Sequence, residues 1–207
     1  MVVKRFTIGE LWTNCYVVSN EETKECFIVD PPVCEESVLS YLEAQGLELK
    51  AIFLTHGHYD HIMGVDGYLE KFSVPVYAHE DEQEVLKDGA KNLSAKFGAA
   101  YEFHGAESVK DGQTLEIAGF KVKVLHTPGH TCGSCSYYIE KEEALFCGDT
   151  VFYRSIGRTD FPTSNHAQLI KSAKEKIMTL PKDVKLYPGH MEETSVKHET
   201  WYNTFLY

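Results

Sequence analysis

Along the chain, short apolar segments of two periods alternate with polar turns. Val2–Ile8 and Asn14–Ser19 have strand character. Glu25–Asp30 follows across the polar turn at Glu21-Glu22 and ends in Asp30-Pro31-Pro32. Glu35–Gln45 changes period: Val38, Leu39 and Leu42, supported by Tyr41, recur at helical spacing, and Gly46 is a helix stop. Lys50–Thr55, with the unbroken run Ala51-Ile52-Phe53-Leu54, predicts a buried strand. Helix is expected over Ile62–Phe72, strand over Val74–Ala78 and helix over Glu80–Lys87.

Asp88–Ser108 has glycines at 89, 98 and 105 and no period. Its aromatic residues Phe97, Tyr101 and Phe103 fit core or loop packing better than a pocket wall. Gln113–Ile117 and Phe120–Leu125 flank Ala118-Gly119 as a hairpin, and Cys135–Ile139 with Ala144–Cys147 forms the next strand pair. Asn165–Thr179 is an amphipathic helix with Leu169, Ile170, Ala173 and Ile177 on one side, ended by Pro181. Val184–Tyr187 is a strand and Glu193–Tyr202 a final helix. Without linker, low-complexity tract or repeat, the two groups of strands with interspersed helices imply one layered α/β domain over 1–207.

At 207 residues and 43% hydrophobic content the chain can bury a substantial core. A formal net charge of −11 argues against nucleic acid as a partner, because phosphate binding relies on clustered Lys and Arg. No apolar run approaches the roughly 20 residues of a membrane span, so no membrane partner is expected. The start, Met1-Val2-Val3-Lys4-Arg5-Phe6, lacks the apolar core of a signal peptide, and a cytoplasmic location is expected. The six cysteines are then expected as thiols, with Cys15, Cys26 and Cys147 as buried packing residues in strands.

The chemistry gathers at Thr55-His56-Gly57-His58-Tyr59-Asp60-His61, directly after the buried strand. His56 and His58 share a face if extended geometry continues, and Asp60 and His61 fall at the turn into the next helix. One pair aims at one point and the other at a neighbouring point, which suits two metal ions better than one. His130 in Thr127-Pro128-Gly129-His130, Asp149 in Gly148-Asp149-Thr150 and His190 in Pro188-Gly189-His190 each stand by a glycine or proline near a strand end. Zn, Fe and Mn accept such an imidazole and carboxylate set without a thiolate. His79, His104, His126, His166 and His198 are read as ordinary histidines. Asp30, at a strand end, is a candidate to orient ligand imidazoles.

In order and spacing these residues resemble the metallo-β-lactamase superfamily over nearly the whole chain. The resemblance implies an αβ/βα sandwich of two facing mixed sheets flanked by helices, with a metal site at one edge. It implies that His56, His58 and His130 hold one divalent ion, Asp60, His61 and His190 a second, and Asp149 both. Zn is the metal expected, with Fe or Mn as alternatives. The set His61, His190 and Asp149 looks more like glyoxalase II-type hydrolases than β-lactamases. Gly157-Arg158-Thr159-Asp160-Phe161-Pro162 resembles the G-R-[ST]-D loop of compact glyoxalase II-like proteins. The ending His190…Thr194…Glu199…Asn203…Phe205-Leu206 resembles theirs too. Met191, Lys197, Thr204 and Pro32 depart from the pattern, and the glutathione-binding basic residues of full-length glyoxalase II are not carried over.

Two metals about 3.5–4 Å apart can hold a bridging hydroxide and polarise a carbonyl, with Asp60 and Asp149 framing it. Two divalent ions outweigh two aspartates and a hydroxide, so the site can attract an anion inside an acidic protein. The function expected is hydrolysis of a thioester such as an anionic 2-hydroxyacyl-thiol, a small-molecule substrate, with Arg158 as a candidate anion contact. The alternative is a persulfide dioxygenase, which shares the G-R-T-D-F loop and uses one iron, here on His56, His130 and Asp149. A non-enzymatic binding domain predicts eroded ligands, and all seven are present. Cys132-Gly133-Ser134-Cys135 leads into a strand rather than opening a helix, which disfavours a redox pair.

Overall fold

The structure, a computed structural model, describes residues 1–207. Strands β1 (Val2–Ile8), β2 (Thr13–Ser19), β3 (Glu25–Val29), β4 (Glu48–Phe53), β5 (Val76–His79) and β6 (Ala106–Val109) form one sheet in chain order. The first three pair antiparallel through tight turns. From β3 onward the neighbours are parallel, and each step needs a crossover. Helix α1 (Glu36–Gln45) makes the first, closed by Gly46 in the left-handed conformation. Helices α2 (Tyr59–Ile62) and α3 (Val65–Leu69) make the second. The third contains the 3₁₀ turn Glu80–Glu82 with α4 (Gln83–Leu86) and α5 (Ser94–Phe97).

The second sheet contains β7 (Thr114–Ile117), β8 (Phe120–His126), β9 (Cys135–Ile139) and β10 (Ala144–Gly148) as an antiparallel meander. A two-stranded ribbon, β11 (Val151–Phe152) with β12 (Ser155–Ile156), then leads to α6 (His166–Ser172), whose axis runs on as a π-helical turn through Ile177. Strand β13 (Lys185–Pro188) returns parallel to β10, and β14 (Thr194–Ser195) and α7 (Val196–Tyr202) close the sheet edge. The order is β14-β13-β10-β9-β8-β7.

Strand alternation sorts the core into layers. On β2, Tyr16 and Val18 face the other sheet while Cys15 and Val17 meet the helices; on β10, Phe146 faces inward and Leu145 and Cys147 outward. Val38, Leu42, Ile62 and Tyr68 cover the first sheet, and Ala173, Ile177, Val196 and Leu206 the second. The result is the expected αβ/βα sandwich of two facing mixed sheets flanked by helices. Cys15, Cys26 and Cys147 are buried free thiols within it.

Several boundaries differ from the sequence expectation. The strand expected over Lys50–Thr55 runs from Glu48 and stops at Phe53, so Thr55–His58 is loop. The single helix expected over Ile62–Phe72 is two short ones, because Gly64 is pressed against the backbone of Pro31 and Val33. Asp88–Ser108 contains α5 and the edge strand β6, and Glu193–Tyr202 begins as β14 before turning helical.

Phe27 links the layers. Its ring meets Phe53 at 5.0 Å in its own sheet and Phe120 and Phe146 at 6.3 Å across the core. Phe27→Ala is expected to destabilise the fold by about 3–5 kcal/mol in chemical denaturation; a loss below about 1 kcal/mol would show that the core closes over the gap.

Candidate metal centre

Strands β4, β8, β10 and β13 all end at one edge of the sandwich, and the segment after each end carries part of the ligand set read from the sequence. Backbone bonds lock the two sheets together there: Cys135 N donates to Thr55 O at 2.8 Å and Asn14 N to Gly189 O at 2.7 Å. Two tyrosine hydroxyls add to this, Tyr137 donating to Leu54 O and Tyr16 to Pro188 O. The ligand loops therefore start from fixed points.

The seven candidate ligands converge in two groups. Ring nitrogens of His56, His58 and His130 form one, with His58 Nδ1 and His130 Nε2 at 2.9 Å. Asp60, His61 and His190 form the other, with His190 Nε2 at 3.3 Å from Asp60 Oδ2 and 3.4 Å from His61 Nε2. Asp149 stands between them. Its Oδ2 is 3.5 Å from both His130 Nε2 and His190 Nε2, and its Oδ1 is 3.5 Å from His61 Nε2. Close approach explains two glycines. A Cβ at Gly157 would collide with the Asp149 carbonyl, and one at Gly189 with the Asp149 carboxylate and the His61 ring.

Three of the imidazoles are aimed by what holds their far nitrogen. His61 Nδ1 donates to Asp30 Oδ2 at 3.0 Å, His130 Nδ1 to the Arg158 carbonyl at 2.8 Å, and His56 Nδ1 lies 3.2 Å from Thr55 Oγ1. Each then turns Nε2 into the site. Asp30 also accepts from Thr55 N at 2.7 Å and Thr55 Oγ1 at 2.6 Å, which matches its expected orienting role. Thr13 Oγ1 donates to Asp60 Oδ2 at 3.1 Å. The Phe161 ring stands nearly perpendicular to His58 at 5.2 Å and to His130 at 5.9 Å and covers that flank.

Glu82, unremarked in the sequence, ties the two halves of the first group. Its buried carboxylate accepts from Gly57 N at 2.6 Å, between His56 and His58, and from Thr131 Oγ1 at 2.8 Å and Gly133 N at 2.9 Å, beyond His130. Burial pushes its pKa up to about 7 against the pull of those three donors. A signal was present: Glu82 shares the helical face of Val85 and Leu86, where an apolar residue belongs.

Electrostatics divides the two groups. Burial, then the neighbouring rings, holds His56 and His58 far below the usual imidazole range, and burial lowers His130. These three are neutral donors. At His61 burial also opposes charge, but Asp60, Asp149 and Asp30 outweigh it and raise the ring to about 10. At Asp60 burial favours the neutral acid, yet His61 and His190 hold the carboxyl far below its normal value. The second group thus demands positive charge, which a divalent cation would supply. His56 Nε2, His58 Nε2 and Asp149 Oδ1 are buried without any hydrogen-bond partner, and orphaned polar atoms at such a focus fit a metal. Nitrogen and carboxylate donors suit Zn, Fe or Mn.

Arg158 forks onto Asp160, Nε to Oδ1 at 3.0 Å and Nη2 to Oδ2 at 2.7 Å, and lies over the Phe161 ring. The residue expected to meet a substrate anion is engaged by its neighbour. Cys132 Sγ faces the Asp81 carbonyl and Glu84, whereas Cys135 Sγ faces the Leu54 carbonyl. Burial pushes both thiols up to about 12, so neither is a ready nucleophile. His79 and His126 stack on each other with ring centroids 3.8 Å apart.

Comparison with known proteins gives the same picture of the family. Residues 8–190 match the Metallo-beta-lactamase superfamily. A probable metallo-hydrolase of Bacillus subtilis, YqgX, is 36% identical over 98% of this chain and 96% of its own. The hydroxyacylglutathione hydrolase GloC of Haemophilus influenzae is 30% identical over 93% of this chain and 92% of its own. Among solved structures, the BLEG-1 B3 metallo-beta-lactamase superposes with a TM-score of 0.93 at 38% identity, covering 99% of both chains. TTHA1623 in a di-iron-bound form superposes with a TM-score of 0.87 at 32% identity, covering 99% of this chain and 100% of its own. No helix is long and apolar enough to cross a membrane.

Elemental analysis of the purified protein is expected to return two divalent ions per chain. His58→Ala should lose one, and Asp149→Ala should retain fewer than one; two ions in Asp149→Ala would reject its position between the groups. Glu82→Ala strands three buried donors and is expected to cost about 3 kcal/mol or more in denaturant melts. A cost below about 1 kcal/mol would mean that water replaces the carboxylate.

Proposed function

The chain belongs to the metallo-beta-lactamase superfamily, and from that premise we propose that it is a binuclear metal-dependent hydrolase of thioesters. The observation that carries this reading is Asp149, with one carboxylate oxygen 3.5 Å from an imidazole of each ligand group. A single-metal enzyme has no use for the second group of Asp60, His61 and His190.

His56, His58 and His130 would hold the first ion, Asp60, His61 and His190 the second, and Asp149 both. So held, two divalent ions supply Lewis acidity for a carbonyl oxygen and lower the pKa of an attacking water. The protein's own residues do the positioning. Asp30 and Thr55 fix His61 and His56, the Arg158 carbonyl fixes His130, and Thr13 orients Asp60. Phe161 keeps solvent off the His58 and His130 rings. A thioester suits this arrangement because a thiolate departs without a proton, its conjugate acid having a pKa of about 8.5. An amide nitrogen must be protonated to leave. The similarity to GloC supports the same substrate class.

Lactam hydrolysis is the second reading, favoured by the similarity to the B3 metallo-beta-lactamase. An iron-dependent persulfide dioxygenase is the third and would need only His56, His130 and Asp149.

Anaerobic release of free thiol from an acyl thioester is the expected activity. His190→Ala is expected to lower kcat/KM at least about tenfold, equivalent to roughly 1.4 kcal/mol of barrier. Oxygen uptake with a persulfide, insensitive to His190→Ala and unaccompanied by anaerobic thioester cleavage, would favour the dioxygenase. Lactam opening outpacing every thioester would favour the second reading.

A further inference from the structure

A cleft of about 620 Å³ lies between the β1–β2 turn, the segment after β3, α2 and α5, and it opens onto Asp60. Pro32, Tyr59, Met63 and Phe97 supply its apolar wall. The Phe97 ring stacks on Tyr59 with centroids 4.8 Å apart and planes 19° from parallel, yet Phe97 remains 60% exposed and Met63 45%. Two large apolar side chains thus stay open to solvent beside the ligand edge. Burying them against a bound molecule is favourable, and an apolar wall next to a polar reacting point is the usual form of a small-molecule subsite.

The charge of the cleft restricts what enters. Glu10 and Glu35 stand on its rim with Asp60 at its floor, and no Lys or Arg lines it. Lys96, on the same helix as Phe97, lies within Coulombic reach of Asp160 instead, and Arg158 is forked onto that aspartate. An arm bearing a carboxylate would have to pass Glu10 and Glu35 with no Lys or Arg of the cleft to meet it.

We propose that this cleft receives one arm of the scissile thioester and selects an uncharged apolar arm, aromatic or aliphatic, against an anionic one. The assignment rests on the thioesterase reading and replaces the anionic substrate expected from the sequence. Phe97 and Tyr59 set the preference by offering a flat face, and Glu10 and Glu35 set the exclusion.

Two series of thioesters test it on the metal-loaded protein. In one the acyl arm is acetyl, phenylacetyl or succinyl on N-acetylcysteamine. In the other, acetyl thioesters carry ethanethiol, phenylethanethiol or mercaptopropionate. In one series the phenyl member is expected to exceed its small parent in kcat/KM about tenfold or more, with the carboxylate member below the parent. Phe97→Ala, a change at an exposed position, should bring the phenyl-to-parent ratio close to one. Glu10→Gln with Glu35→Gln should raise the carboxylate-to-parent ratio. Flat ratios in both series, or a phenyl preference that survives Phe97→Ala, overturn the subsite. If no thioester in either series turns over, the thioesterase reading fails, and calorimetry with inert thioethers judges the cleft by itself. Tighter binding of a benzyl than a methyl thioether, lost in Phe97→Ala, keeps an apolar subsite; equal binding removes it.

Discussion

The buried carboxylate of Asp30 is the contact on which the rest of the edge depends. It ends β3 and accepts three hydrogen bonds, from Thr55 N, Thr55 Oγ1 and His61 Nδ1. It does so at a φ of +52°, a conformation uncommon for residues other than glycine and costing of order 1–3 kcal/mol. That strain is tolerated because one side chain performs several tasks. It caps the loop after β4, fixes the ring of His61 and, through the Thr55 hydroxyl, the ring of His56. Pro31 and Pro32 follow directly, and Gly64 N donates to the Pro31 carbonyl. The turn after β3 therefore also sets where α2 and α3 sit, and with them Asp60 and His61.

Glu82 repeats this arrangement on the opposite side of the first ligand group. Both acids are buried, both accept from backbone N–H groups of ligand loops, and neither reaches the centre itself. The difference is in their surroundings. Asp30 accepts from the His61 imidazole as well as from Thr55, whereas Glu82 accepts only from backbone and hydroxyl groups and is pushed up to about 7 by burial. A pair of buried acids at strand and helix ends converts two flexible histidine loops into a preorganised frame. This is why the donors converge within hydrogen-bonding distance.

How much of this was legible follows from what each residue packs against. The strands of the core were readable because burial on both faces of β2, β3, β9 and β10 leaves short, largely apolar runs bounded by polar turns. The candidate ligands were legible because they follow strand ends in an order that resembles the family's, and Asp30 because a carboxylate at a strand end can orient an imidazole. The strand β6 was not, since Ala106–Val109 lies at an edge with Glu107 and Ser108 exposed and carries little apolar pattern. The ribbon β11–β12 is two residues on each side, too short for a period to exist. The helix break at Gly64 is a tertiary effect, caused by the Pro31–Val33 backbone lying against it. Glu82 was hidden in the acidic run Glu80-Asp81-Glu82, which reads as solvated surface until its register with Val85 and Leu86 is noticed. Phe97 meets the expected loop packing only in part, stacking one ring face on Tyr59 while staying 60% exposed, because the irregular segment around it supplies no second layer.

The site also separates holding metal from meeting substrate. His56, His58, His130, Asp149 and His190 come from loops just past strand ends and Asp60 and His61 from the short α2 that follows, where two sheets locked by Cys135–Thr55 and Asn14–Gly189 backbone bonds leave little freedom. The walls around them come from the least regular parts of the chain: the β1–β2 turn, α5 and its flanks, and the loop at 157–162. On one flank Phe161 and the Arg158–Asp160 fork form an internally neutral wall. On the other, Tyr59 and Phe97 leave an open apolar face with an acidic rim. Changing the second flank alters neither the ligand distances nor the hydrogen bonds that aim the imidazoles, since none of those bonds passes through α5. A centre built this way separates its ligands from its walls, so that the proposed subsite at Phe97 can differ without moving the candidate ligands.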